Sequence, residues 1–218
     1  LHAVVGAKKL GLSELTEKLL SMSVEDDARP PLVKDVAHVH EAIPHTARRA
    51  LIELAPLDQL HLALTNQPMR SPSLAVLRQI HSTENVSKLI AALDSSGELD
   101  IMAALLRLYH REKDWDGEAW WGTRPNSGGP YYQGVTWESS EAIAQAVRKA
   151  VTGMDENSQK AVLFQVRRHN LDLDELKLPI EVDPLEQLVD QPSHTFEQQA
   201  DLLSIVTDQS RLQPMRIM

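Results

Sequence analysis

The aromatic residues of this 218-residue chain are concentrated in one place, since seven of the nine lie between residues 109 and 137. They are Tyr109, Trp115, Trp120, Trp121, Tyr131, Tyr132 and Trp137. The flanking sequence is rich in Leu and Ala and has the pattern of amphipathic helices. Long loops within compact domains are usually functional or disordered, and this many apolar rings disfavour disorder. The sequence therefore predicts an ordered, aromatic, Gly- and Pro-rich insert loop over residues 114–137 of a helical chain.

Helical periodicity accounts for nearly all of the remaining sequence. Helices are predicted over residues 12–22, 33–43, 45–55, 57–64, 74–80, 84–93, 99–111, 140–151, 156–169 and 195–206. Ser13, Ser71, Thr83 and Asp155 are predicted N-caps, because their side chains accept hydrogen bonds from the first turn of a helix. Strand patterns are nearly absent, so the fold class is predicted to be all-α.

Three of the predicted helices share a pattern with an apolar or small start, an early Leu and an apolar end. They are residues 50–54, 76–80 and 104–108, in which Leu51, Leu77 and Leu105 correspond. The first two are followed by a shorter helix. This repetition predicts a HEAT-like α-solenoid of antiparallel helix pairs, with an irregular helical bundle as the alternative. Residues 1–170 are predicted to form the repeats, including the insert. Residues 171–218 are predicted to be an acidic, Pro-interrupted helical segment packed on the same domain.

Composition excludes several classes of protein. The chain has no cysteine, which excludes disulfides, thiolate metal sites and cysteine nucleophiles. Its net charge of −9 argues against a nucleic-acid partner. No apolar run approaches the length of a membrane span, and the proportions of apolar and charged residues are those of a soluble protein.

The aromatic insert carries a family resemblance. The relevant runs are 108–112 (LYHRE), 115–117 (WDG), 120–125 (WWGTRP), 129–132 (GPYY) and 135–138 (VTWE). Together they resemble the HEAT-repeat region of large exported proteins of planctomycetes and related bacteria. Those proteins join a sugar-dehydrogenase-like β-propeller, a HEAT-like region and a c-type cytochrome domain. The resemblance implies a module of an exported, periplasmic redox protein. This chain lacks C-x-x-C-H and a propeller strand pattern, so it is expected to hold no cofactor itself.

The insert also supplies the predicted binding residues. These are Trp115, Trp120, Trp121, Arg124, Tyr131, Tyr132 and Trp137. One interpretation is a surface for neighbouring domains or partner proteins, with Trp and Tyr as docking anchors. A carbohydrate-binding module is the alternative, with aromatic rings stacking on sugars and Arg124 anchoring an anionic group. A third interpretation is that the rings form a small local core.

Metal binding and catalysis are not expected within the chain. Asp114, Asp116 and Glu118 are weak calcium candidates, because their spacing echoes part of an EF-hand loop. An EF-hand is excluded, since its twelfth position is Pro125 rather than glutamate. The nine histidines include no H-E-x-x-H motif, and the serines include no nucleophile elbow. The sequence therefore predicts a non-catalytic scaffold or interaction module.

Overall fold

The structure, a computed structural model, describes residues 2–23, 39–115, 117, 130–131 and 133–180. Two compact units are distinguished, residues 1–178 and 179–218. Every element described below belongs to the first unit. The helix predicted over residues 195–206 lies outside the described residues.

Helices make up about 70% of the described residues, which confirms the all-α class. They are α1 (His2–Leu10), α2 (Thr16–Met22), α3 (Val39–Leu54), α4 (Leu57–Ala63), α5 (Gln67–Leu77), α6 (Thr83–Ser96), α7 (Leu99–Leu108), α8 (Ser140–Val151), α9 (Glu156–Arg168) and α10 (Leu173–Leu176). A 3₁₀ turn over Ser13–Leu15 joins α1 to α2. Within the described ranges, no helix has both the length and the apolar character that crossing a bilayer requires.

The helices pack in a regular succession. Helix α3 contacts α5, α5 contacts α7, and α7 contacts α9. The intervening helices lie alongside, with α4 against α5, α6 against α7 and α8, and α8 against α7. Leu51, Leu77 and Leu105, the corresponding leucines of the sequence repeat, are each fully buried. The faces of α3, α5 and α7 that carry these leucines are thus buried against neighbouring helices.

Several helix ends follow from local side-chain chemistry. The Asp155 carboxylate accepts hydrogen bonds from the backbone N–H groups of Asn157 and Ser158 and caps α9, as predicted. Helix α6 is capped by Ser82, one residue before the predicted Thr83, and its hydroxyl accepts from Asn85 N–H. Gly97 ends α6 in the left-handed region at φ 67°, which glycine adopts without steric cost.

Prolines mislead the sequence interpretation twice. Helix α3 continues through Pro44, where a break was predicted. Proline has no backbone N–H, so Pro44 removes one hydrogen bond from the helix. Helix α5 begins at Gln67 rather than after Ser71, with Pro68 in its first turn and Pro72 inside it.

Helix α1 was not predicted, and Ser13 makes no side-chain cap of α2.

A short β-ladder follows α7, where the prediction had the helix continuing to residue 111. Strand β1 (His110–Glu112) pairs antiparallel with β2 (Gly134–Thr136), with His110 opposite Thr136 and Glu112 opposite Gly134. The ladder continues through the Lys113 N–H, which donates to Gln133 O at 2.8 Å. The ladder therefore brings the residues before and after the aromatic insert side by side.

Candidate functional site

Side chains from the end of the insert and the start of α8 cap the carboxyl end of α7. The last carbonyls of a helix have no partner within it, and each needs one from elsewhere. Here Tyr131 Oη donates to Arg107 O at 3.0 Å, and Trp137 Nε1 donates to Leu108 O at 2.8 Å. Ser140 Oγ donates to the next carbonyl, that of Tyr109, at 2.6 Å. Three consecutive carbonyls are thus satisfied by residues more than twenty positions away in the sequence.

His81 extends this capping arrangement by one carbonyl. Its Nε2 lies 2.9 Å from His110 O and 3.2 Å from Tyr131 Oη. A carbonyl only accepts, so Nε2 carries the proton. The ring meets Trp137 edge-on at 5.5 Å between centroids and Tyr131 at 5.9 Å. Burial lowers the pKa of His81, and the nearby Arg107 charge lowers it further, so the imidazole is neutral near pH 7.

The two ends of the insert are fixed to each other by the ladder and by one further bond. Glu112 Oε1 accepts from the Gln133 N–H at 2.7 Å. At Gly134 a side chain would meet the His110 ring, because a Cβ there would lie 3.3 Å from Nδ1. Glycine permits this close approach of strand and ring. The base of the insert is therefore a defined structure built on the end of α7.

The predicted binding residues have different environments. Tyr131 and Trp137 are half-buried and engaged in the capping described above. Trp115 is 66% exposed, the most exposed aromatic among the described residues. Trp120, Trp121, Arg124 and Tyr132 lie outside the described residues.

The weak calcium candidates are not brought together in the described part of the chain. The Asp114 side chain is 90% exposed, with its Oδ2 3.6 Å from Arg111 Nη2. Asp116 and Glu118 lie outside the described residues. Across the residues that are described, no group of three or more His, Asp or Glu side chains is placed to hold a metal ion.

A cationic cavity, which the sequence interpretation missed, lies beside the α7 end. Its volume is about 430 Å³. The described lining consists of His45, Arg48, Arg49, Arg78, Gln79, Arg107, Pro130, Arg168 and His169, which includes five arginines and no carboxylate. A sequence signal existed, because 29 residues separate Arg49 from Arg78 and 29 separate Arg78 from Arg107.

The positive charge of this cavity affects His169, one of the two histidines in the described lining. Burial lowers the pKa of His169 to about 4, and the charges of Arg107, Arg168 and Arg78 add to the effect. His169 is therefore neutral at pH 7. The guanidinium of Arg107 lies 5.6 Å from the centre of the Tyr131 ring, within cation–π range. Tyr131, which caps α7, thus also contacts one of the cavity arginines.

A scan against protein-family models and searches of curated proteins and of solved structures gave no match to this chain.

Proposed function

We propose that this chain is a non-catalytic helical-repeat scaffold or protein-interaction module, built as a HEAT-like solenoid and belonging to a larger exported redox protein. The observation that carries the repeat architecture is a recurring separation between bonded residues. Lys88 bonds Asp58 at a separation of 30 residues, and Arg70 bonds Asp100 at 30. His81 bonds the His110 carbonyl at 29, and Arg148 bonds the Leu176 carbonyl at 28. These separations support a repeating unit of roughly 29 residues.

The succession of helix contacts agrees with that unit. In a solenoid each repeat buries its apolar face only against its neighbours, so contacts connect helix n with helix n+2 along a layer. The contacts of α3 with α5, α5 with α7 and α7 with α9 follow this rule, as does that of α6 with α8.

The interaction surface is proposed to be the aromatic insert. Its base is held by the β1–β2 ladder and by the bonds to the end of α7, so the exposed Trp115 projects from a fixed position. Exposed tryptophans on rigid supports are typical anchors of protein interfaces, because they bury a large area with little loss of conformational entropy.

Photo-cross-linking in the full-length gene product tests this role. A photoreactive phenylalanine replaces Trp115 in one variant and Phe164, which is 61% exposed on α9, in the matched control. We expect cross-links to a neighbouring domain or partner from position 115 and far fewer from position 164. Equal yields from both positions would show that the insert is not the docking surface, and no cross-link from either would refute the scaffold function.

The proposed parent protein is tested separately by its coding sequence. The resemblance predicts a C-x-x-C-H motif and propeller-type repeats encoded in the same gene. A gene that encodes neither on either side of these residues contradicts the assignment to a redox protein but leaves the repeat architecture untouched.

Carbohydrate binding is the second candidate, and the exposure of Trp115 is the observation that favours it. It has less support, because Tyr131 and Trp137 already use their polar atoms to cap α7. A fluorescence titration with a glycan series distinguishes the two functions. Saturable binding abolished by Trp120→Ala and Trp121→Ala, with the fold retained, would favour the carbohydrate module over the scaffold.

A further inference from the structure

We propose that the base of the aromatic insert is a proton-sensitive attachment, in which protonation of His81 and His110 releases the returning segment of the insert from the end of α7. The returning segment comprises Tyr131 and residues 133–137. The release rests on the geometry of the base alone, whereas its use in regulating partner docking at Trp115 rests on the function proposed above.

His81 lies between α5 and α6, and the returning segment covers its ring. Trp137 meets the ring edge-on at 5.5 Å between centroids, and Tyr131 does so at 5.9 Å. His81 Nε2 donates to the His110 carbonyl at 2.9 Å, and Tyr131 Oη lies 3.2 Å from the same nitrogen. Movement of the returning segment away from α7 would therefore open the His81 ring to water.

His110 lies beneath the same segment. It begins β1, opposite Thr136 of β2. Its side chain is 14% exposed, and the β2 backbone passes so close that a Cβ at Gly134 would lie 3.3 Å from Nδ1. Its Nε2 lies 3.7 Å from Glu175 Oε2 on α10, and its ring lies 4.9 Å from that of Tyr109 between centroids. One segment thus covers two histidines.

The surroundings of His81 disfavour a proton on its ring. Burial lowers the pKa of His81, and the charges of Arg107 on α7 and Arg111 on β1 lower it further. The carbonyls of His110 and Gln79 favour the protonated ring but offset these effects only in part. A proton on His81 is therefore more favourable once the ring is hydrated.

His110 shows the same tendency. Burial lowers the pKa of His110, and the carboxylate of Glu175 offsets this only in part. The hydroxyls of Tyr131 beside His81 and of Tyr109 beside His110 stay neutral, because burial raises the pKa of both. The two histidines are therefore the groups at the base that change charge in mild acid.

Acid favours the released form by linkage. A histidine whose pKa is lowered in the attached form binds a proton more readily in the released form. Below the ordinary histidine pKa of 6.5 the released form takes up more protons, so the attachment weakens as pH falls. Each histidine shifts this equilibrium by up to about tenfold per pH unit, and both act in the same direction.

Hydrogen exchange of the full chain, followed by NMR, measures the release. The reporters are the Trp137 indole N–H, which donates to Leu108 O at 2.8 Å, and the Lys113 amide, which donates to Gln133 O at 2.8 Å. The Ala55 amide at the end of α3 is the reference for any general loss of stability. Relative to it, the reporters' protection factors should fall at least about fivefold from about pH 7 to about pH 5, above the range in which carboxylates titrate.

Non-titrating variants assign the response. His81→Gln replaces the ring with an amide that can still donate to the His110 carbonyl. We expect His81→Gln and His110→Gln each to reduce the acid response, and the double variant to abolish it. His61→Gln is the matched control, because burial also lowers the pKa of His61, whose Nε2 bonds Asn85 Oδ1 on α6 at 3.0 Å. It should leave the response of the insert base unchanged.

Titration of the unsubstituted protein by NMR keeps the test decisive if a variant does not fold. Both His81 and His110 should titrate below the ordinary value of 6.5. The proposal is overturned if either titrates at or above that value, if relative protection at the base does not change with pH, or if His61→Gln removes the response.

Cross-linking from position 115 at the two pH values separates release from docking. The yield should fall in acid, and an unchanged yield would overturn the regulatory role. A base that releases in acid while position 115 gives no cross-link at neutral pH supports the release and contradicts the docking function.

Discussion

Trp137→Phe tests whether the aromatic residues of the insert base stabilise the fold. The substitution keeps a ring at this position but removes the indole N–H that donates to Leu108 O at 2.8 Å. Leu108 is fully buried, and its carbonyl lies in the last turn of α7, beyond the reach of internal helical bonds. The mutant therefore leaves a buried acceptor without its donor.

The magnitude follows from that loss. A buried polar group left unsatisfied costs about 1–3 kcal/mol, more than the net worth of a typical exposed hydrogen bond. In a domain of this size, 1 kcal/mol shifts the melting temperature by about 2–4 °C. We therefore expect the free energy of unfolding to fall by about 2 kcal/mol and the melting temperature by about 4–8 °C.

Urea denaturation followed by far-UV circular dichroism measures the effect without relying on tryptophan fluorescence. Trp115→Phe is the matched control, because this side chain is 66% exposed and should change stability by less than about 0.5 kcal/mol. Equal midpoints for the two variants would refute the capping argument. A second test is the double mutant with Ser140→Ala, since Ser140 Oγ accepts from the Trp137 backbone N–H at 2.9 Å. Residues in one network are expected to couple by 0.5 kcal/mol or more.

Three further predictions concern other parts of the structure. Asn85→Ala should cost about 2–4 kcal/mol in urea denaturation, because the fully buried amide bonds the Leu77 and Ile80 carbonyls, each at 2.8 Å; a loss below 1 kcal/mol would contradict this. The pKa of His169 in the folded protein is about 4, below its ordinary value of 6.5. Between these two pH values the unfolded state binds more protons than the folded state, so stability should fall as pH drops from about 6.5 towards 4. After allowance for solvent screening this amounts to about 1–2 kcal/mol, and His169→Gln should flatten that part of the profile. Tyr131→Phe removes one capping bond but keeps the ring beside Arg107, so the free energy of unfolding should fall by about 1 kcal/mol in urea denaturation.

The sequence predicted what depends on neighbouring residues along the chain. Helical periodicity is a local property, and it located most helices and the Asp155 cap correctly. Proline was the main source of error, because its effect depends on how the helix around it is packed. Pro44 and Pro72 both lie within helices whose apolar faces are packed against other helices. Packing of that kind outweighs a local breaking tendency and cannot be inferred from the proline itself.

The β-ladder and the caps of α7 could not be predicted for a different reason. Strands of three residues are too short to show a period-two pattern. The partners of Tyr131 and Trp137 are carbonyl groups, which every residue has, so no residue type marks them in the sequence. The roles of these two side chains depend on the three-dimensional meeting of the insert base with the end of a helix.

The cationic cavity shows how helix packing brings together residues that lie far apart in the sequence. Arg49, Arg78 and Arg107 recur at 29-residue intervals in the sequence, but that spacing alone does not say which side chains meet. Contacts of α3 with α5 and of α5 with α7 bring these three arginines to one cavity. Tyr131 takes part in both the cap of α7 and the cavity. Its hydroxyl donates to the Arg107 carbonyl at 3.0 Å, and its ring faces the guanidinium of the same residue. Through this one side chain, the aromatic insert both caps the end of α7 and borders the cationic cavity.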